Sequence, residues 1–330
     1  MPPPGWGASA HVVPYGDAPP QRDLAHTMTP PAGDSFAPVT DPDRATALLE
    51  DGMVHQKAGD LEQAMVRFQA VAASPDPAIA SAGWRHVAGV HRLHSDWNDA
   101  LVAARRAATI AEDVGIRELY AEALNAEAII HQMRGDFALA IPLLEQMLTI
   151  TADLKGQGLA LQNLGSIAAQ QGDFARARQH FLRSHHCFER AGYTHGVAFV
   201  LNNFGRAALD HANARVAVPM LEDALGAARR VGDNDLEALV HRNLAEAAVA
   251  LDDREMAHGH LDAAERIFTA EGNRARMVEC LRLRGELAER ESNVDAARMQ
   301  YQRALALANA VGAAGEAARV AERLRALGEP

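Results

Sequence analysis

The sequence predicts an all-α protein: a right-handed superhelical solenoid of antiparallel helix pairs, closed by a C-terminal capping helix. Three linked observations predict it. A short polar segment ending in Ala recurs as GDLEQA (59–64), SDWNDA (95–100), GDFALA (135–140), GDFARA (172–177), ANARVA (212–217), DDREMA (252–257) and SNVDAA (292–297), at offsets of 36, 40, 37, 40, 40 and 40 residues. Twelve residues before each terminal Ala stands a small residue: Gly52, Ala88, Ala128, Gly165, Gly205, Ala245 and Gly285. Four residues after it stands a larger apolar side chain in six of the seven cases, Phe68, Leu144, Phe181, Leu221, Leu261 and Tyr301, with Ala104 the exception. A fixed period held at three positions marks supersecondary units that bury their apolar faces only by stacking on one another.

Residues 1–42 hold 10 of the 15 prolines and no apolar periodicity, and predict a disordered or polyproline-like tail. Helical order is expected to begin near TDPDRATALLEDGM, where Asp41 can cap a helix and Pro42 suits its first turn. From there residues 43–312 form seven helical hairpins. The residues expected to cap the second helix of each are Asp60, Asp96, Asp136, Asp173, Asn213, Asp253 and Asn293. The small residue on the first helix is expected to face the Ala on the second, with the larger apolar residue filling the neighbouring gap. Residues 313–330 carry one more helix, with Val320, Leu324 and Leu327 on one face, to cover the apolar end of the stack.

Composition narrows the function classes. The chain of 330 residues is 48% hydrophobic but only 5% aromatic, which suits helices packed closely over alanine. Its net charge of −11, with no basic stripe, argues against a nucleic-acid backbone as partner. Cys187 and Cys280 are the two cysteines, too few for a disulfide framework and compatible with a reducing cytosol. There is no charged and apolar leader pattern and no run of 18 apolar residues, so a cytoplasmic protein that does not span a membrane is expected.

The small residue, the Ala twelve on and the following aromatic or Leu resemble the tetratricopeptide repeat, over residues 44 to about 310. The usual unit of that family has 34 residues. The commonest spacing here is 40, which adds nearly one turn to each helix. Longer units of this kind resemble those of kinesin light chains and of bacterial regulators similar to them. LNNFG (201–205) and LQNLG (161–165) look like a Leu-Asn-Asn-Leu-small stretch of kinesin light chains, and AIPLLEQML (140–148) and AVPMLEDAL (217–225) like their Ala-x-Pro-Leu stretch. Pro142 and Pro219 share one slot and are expected to bend the second helix around its neighbour.

Two adjacent amides inside a helix are unfavourable by roughly 0.5–0.7 kcal/mol each against Ala, so Asn202 and Asn203 call for a compensating interaction. Asn163, Asn203 and Asn243 stand in one slot, two residues before the small residue, and stacking would set them in a ladder. The position before the slot holds Gln162, Asn202, Arg242 and Arg282, and the neighbours on the same stripe include Phe199 and Arg206. The resemblance implies that asparagines in this slot line a concave groove and hydrogen-bond the backbone of an extended peptide. A side-chain amide offers both donor and acceptor, as a peptide group does. Arg206, Arg242 and Arg282 would then read acidic side chains or a terminal carboxylate, and Phe199, Leu159 and Leu239 would supply apolar contacts. The other reading is that the ladder ties neighbouring repeats together.

Other signals carry little. His55, His91 and His131 share a repeat slot and are explained by register and packing. His91 and His94 lack a third ligand at metal spacing. SHHC (184–187) places His185, His186 and Cys187 in a row that points in different directions, and GQG (156–158) has no strand before it. No G-x-S-x-G, phosphate-binding loop or H-E-x-x-H is present. The expectation is a protein without cofactor or catalytic site that captures a peptide or partner protein. Its alternative is a regulatory module resembling bacterial peptide-pheromone receptors and response-regulator phosphatases.

Overall fold

The computed structural model describes residues 39–328, and among these every regular element is a helix. The proline-rich tail expected over residues 1–42 lies, up to residue 38, outside the described residues. The helices fall into two compact units, one ending at Ile167 and one starting at Ala168. The first holds α1 (Pro42–Lys57), α2 (Leu61–Ala72), α3 (Pro77–Leu93), α4 (Trp97–Asp113), α5 (Arg117–Arg134), α6 (Phe137–Ile150) and most of α7 (Leu154–Gln170). The second holds α8 (Phe174–Arg190), α9 (Thr194–Asp210), α10 (Ala214–Val231), α11 (Asn234–Leu251), α12 (Arg254–Ala270), α13 (Arg274–Arg290), α14 (Val294–Ala310) and α15 (Ala314–Ala326). Both are all-α helical-repeat solenoid: successive helices pack on one another from α1 to α6 in one unit and from α8 to α15 in the other, Leu144 of α6 packs with Ala160 and Leu164 of α7, and first helices of successive hairpins also touch, α1 on α3 on α5 in one unit and α9 on α11 on α13 in the other.

The turns explain why the recurring hexapeptide sits where it does. All seven residues Asp60, Asp96, Asp136, Asp173, Asn213, Asp253 and Asn293 are N-caps. Four of them, Asp60, Asp173, Asp253 and Asn293, accept a backbone N–H of the first turn. The carboxylates of Asp96 and Asp136 instead lie near the histidine that ends the preceding helix, His91 at 3.8 Å and His131 at 3.7 Å, as Asp60 also does to His55 at 3.4 Å. The histidine slot is thus a turn-packing device. The residue before each cap is left-handed, with φ of 82° at Gly59 and 80° at Gly135. Ala212 adopts the same conformation at φ 53°, where a Cβ is unfavourable.

The seven repeat alanines, Ala64 to Ala297, are fully buried. At three of the small residues, Gly52, Gly205 and Gly285, the expected apposition to the alanine needs correction: the nearest neighbour is the larger side chain. A Cβ built on Gly52 would lie 2.5 Å from the Phe68 ring, and one on Gly205 would lie 2.5 Å from Cγ of Leu221; the Tyr301 ring crowds Gly285 in the same way. The reason is the lean of helical side chains toward the N-terminus. A residue one turn beyond the alanine reaches back over it and lands on the neighbouring backbone.

At the start of the first unit, Val39 is buried with Ala45, Val71 and Ile79, and its carbonyl accepts the Ser74 hydroxyl. At the end of the second, Val320 on α15 is buried against Tyr301 and Ala304, with Leu324 and Leu327 packed alongside. Pro142 and Pro219 are exposed, each six residues into a helix that continues past it. GQG (156–158) lies in the opening turns of α7, where Gly156 N–H donates to Asp153. No helix of the described residues is long and apolar enough to cross a membrane.

Candidate functional site

The first helices carry the slot asparagines on the faces that meet their neighbours in the stack, and two of the three are already engaged there. In the first unit, the Nδ2–H of Asn163 on α7 donates to Oδ1 of Asn125 on α5 at 2.8 Å. In the second, the Nδ2–H of Asn243 on α11 donates to Oδ1 of Asn202 on α9 at 2.7 Å. The rule is the same in both: the slot amide donates to the residue just before the slot one repeat earlier. That answers what Asn202 does. It is buried, and it is the acceptor of an inter-repeat bond. Asn203 is different. It remains half-buried, as does Phe199 one turn earlier, whose ring lies 4.8 Å from that of His195.

Each pairing makes a cost calculable. Asn243→Ala removes the donor and leaves the buried Oδ1 of Asn202 without a partner. Urea unfolding should show a loss of about 1–3 kcal/mol. Asn203→Ala should change stability by less than about 0.5 kcal/mol.

The arginines expected to read an acidic ligand are matched by carboxylates of the chain itself. Arg206 grips Glu246 with both Nη atoms, at 2.5 and 3.0 Å, and also meets Asp210. Arg242 lies 3.0 Å from Glu246 and 2.8 Å from Glu279. Arg282 bridges to Glu286 and Glu316. The charges alternate across α9, α11, α13 and α15 and stitch those repeats together. Burial alone would raise the Glu246 carboxyl, but the charge and hydrogen bonds of Arg206, with the charges of Arg242 and Arg282, outweigh it and bring it down to about 2. Burial pulls Arg206 down, yet Glu246 and Asp210 overcompensate and hold it above the ordinary guanidinium range. Two polar atoms on this face stay buried without a partner, Nε of Arg242 and Oδ1 of Asn243. In the first unit Oε1 of Gln162 is also buried without one.

Sequence reasoning placed Arg206, Arg242 and Arg282 correctly on the first helices but missed their partners. The available signal was Glu246 and Glu286, each four residues after an arginine, repeating with the period of the array. It also missed the pair of buried His241 and half-buried His260. Their Nδ1 atoms are 2.8 Å apart, and Arg229 reaches Nε2 of His241 at 3.2 Å. Since a guanidinium can only donate, Nε2 of His241 accepts and its Nδ1–H donates to His260. Among the described residues no group of three or more His, Cys, Asp and Glu could hold a metal ion.

Residues 158–230, which span α8, α9 and most of α7 and α10, match the family model described as Tetratricopeptide repeat. Over those residues the chain is built of tetratricopeptide repeats. No curated protein matches it in sequence. Solved structures resemble it in fold. A STAND (signal transduction ATPase with numerous domains) protein with a tetratricopeptide repeat sensor from Pyrococcus horikoshii aligns with TM-score 0.63 and 14% identity over 86% of this chain, which spans 43% of that one. A Rap protein complexed with Competence and Sporulation Factor aligns with TM-score 0.58 and 14% identity, over 88% of this chain and 76% of that one. BtubC (BKLC) from P. vanneervenii aligns with TM-score 0.53 and 20% identity, over 70% of this chain and 90% of that one. Likeness at such identity shows the fold, and it does not single out the kinesin-light-chain subgroup among tetratricopeptide-repeat proteins.

Proposed function

We propose that this tetratricopeptide-repeat protein is a non-catalytic interaction scaffold, and that its second unit binds an extended peptide on the face made by α9, α11 and α13. The observation that carries the reading is the division of labour among the slot amides. Asn202 and Asn243 are consumed in holding repeats together, whereas Asn203 stands half-buried beside half-buried Phe199. An amide next to an aromatic edge suits one peptide group and one apolar side chain. In the first unit Asn163 is engaged with Asn125 as Asn243 is with Asn202, and Gln162 beside it would meet the peptide. Arg206, Arg242 and Arg282 then serve as a neutralised wall that orients polar groups, and a net charge of −11 favours basic over acidic segments at long range.

A selection from a displayed peptide library tests this. Peptides enriched on the wild-type chain should lose about tenfold or more in affinity, ~1.4 kcal/mol, on the double variant Asn203→Ala, Phe199→Ala, whose helical circular dichroism should be unchanged. Peptides that bind both proteins equally would overturn the assignment.

A second reading, a sensor module in a bacterial signalling system, draws on the likeness to the Rap protein complexed with its factor. Response regulators or histidine kinases retained by the wild type and lost with the double variant would favour it.

A further inference from the structure

The second unit carries a row of guanidiniums that the chain leaves unmatched. On α8, Arg176, Arg183 and Arg190 recur every seven residues and so share one side of the helix. All three are exposed, as is Arg178. They point away from the stripe of Ala177, Phe181, Ser184 and Phe188 that α8 buries. None of the four forms an ion pair among the described residues, and the one carboxylate of the helix, Glu189, lies 3.6 Å from His185 instead. On α9, α11 and α13, by contrast, Arg206, Arg242 and Arg282 all meet carboxylates.

Neither register nor helix stability explains the row. The repeat period of 40 places Val216, Asp223 and Arg230 at the same positions of α10, and Met256, Ala263 and Ala270 on α12. Arg176 also stands in the first turn of α8, after the cap Asp173, where the positive end of the helix dipole disfavours a cation. Leu182 is 46% exposed, one turn from Arg178 and next to Arg183, an apolar spot bordered by positive charge. The linear sequence shows no basic stripe because these arginines are interleaved with Ala177, Phe181 and Phe188, and coiling into a helix gathers them.

We infer that this face of α8 docks an acidic amphipathic helix of a partner protein, with its carboxylates on Arg176, Arg183 and Arg190 and an apolar side chain on Leu182. Seven residues rise about 10.5 Å along a helix, and a second helix whose acidic positions recur with the same period matches that spacing. Exposed ion pairs contribute little one at a time. The row therefore supplies orientation and on-rate, and Leu182 supplies the desolvated centre. A nucleic acid or an anionic bilayer fits less well. The helix exposes no Phe, Tyr or Trp on which bases could stack, and a net charge of −11 repels a polyanion at long range. The face belongs to the second helix of a hairpin, so it is separate from the peptide face on α9, α11 and α13.

The test uses the full chain and a fluorescent three-heptad peptide of alanine, glutamine, glutamate and leucine, acetylated and amidated. Glutamate stands at every seventh position and leucine one turn later. Its anisotropy should rise saturably, and a scrambled peptide of the same composition should bind about tenfold or more weakly. Arg183→Glu and Leu182→Gln should each weaken the patterned peptide by about tenfold or more, with the helical circular dichroism unchanged because both positions are exposed. Arg215→Glu makes the same charge change at an exposed position of α10 and should leave the affinity as it is. The double variant Asn203→Ala, Phe199→Ala should also bind like the wild type, which separates this site from the peptide face. Absence of saturation, equal binding of the scrambled peptide, or an affinity unchanged in Arg183→Glu would overturn the proposal. So would tighter binding of a double-stranded DNA oligonucleotide or of phosphatidylserine vesicles, which would assign the row to a polyanion.

Discussion

Replacing Glu246 with glutamine should destabilise the protein by about 3 kcal/mol. The carboxylate is shared by Arg206 and Arg242, and Arg242 keeps only 10% of its side chain exposed. Removing one member of such a group leaves the other charge buried with too little compensation, which costs about 3–5 kcal/mol in well-buried pairs. The depressed acidity gives the same scale: a carboxyl brought from 4.5 to about 2 corresponds to about 3 kcal/mol at neutral pH. The control is Asp210→Asn. Asp210 also meets Arg206 but is 58% exposed, so its loss should change stability by less than about 1 kcal/mol. Urea midpoints at constant m-value decide between the two, and equal effects at both sites would show that the ladder behaves as surface charge.

The same groups set the acid response. Glu246 is lowered in the folded state, so its contribution is complete above 4.5 and is lost as pH falls toward 2. His241 is lowered from 6.5 to about 4, by burial first, then by the charges of His260 and Arg229, against the opposing pull of Glu237. His86 is lowered to a similar value. A histidine that stays neutral when folded contributes fully above 6.5, and that contribution falls away between 6.5 and 4. Stability should therefore decline in two stages as acid is added. In Glu246→Gln only the stage below 4.5 should shrink.

The repeat architecture was legible because it is written in spacing. A small residue, an alanine and a larger apolar residue recur in register, and the caps Asp60 to Asn293 follow from the same alignment. Partners across the stack were less legible. Asn202 and Asn203 look equivalent in sequence, yet one is consumed by Asn243 and the other stays half-buried, because adjacent helical positions differ by about 100° in direction. Arg206 likewise gave no sign of whether it faced a ligand or Glu246, since the answer lies 40 residues away. The arginine row of α8 was hidden in the same way, since Arg176, Arg183 and Arg190 stand seven residues apart and only the helix brings them onto one face.

The apposition of Gly205 and Leu221 predicts a coupling that neither residue alone reveals. Leu221 is fully buried, so Leu221→Ala should cost about 2.7–5 kcal/mol. Gly205→Ala places a methyl 2.5 Å from Cγ and 2.6 Å from Cδ2 of the same leucine. Overpacking of that kind costs about 1–3 kcal/mol, less up to about 1 kcal/mol for replacing a helical glycine with alanine. In the double variant the new methyl enters the space that the leucine vacates. The clash disappears, part of the cavity is filled and the helix gain remains. The pair should thus be less destabilising than the sum of the two single changes by at least about 1 kcal/mol. Additive costs would mean that the glycine faces something other than the leucine. The same cycle at Gly285 and Tyr301 should couple in the same direction, because the ring there occupies the equivalent place over the neighbouring backbone.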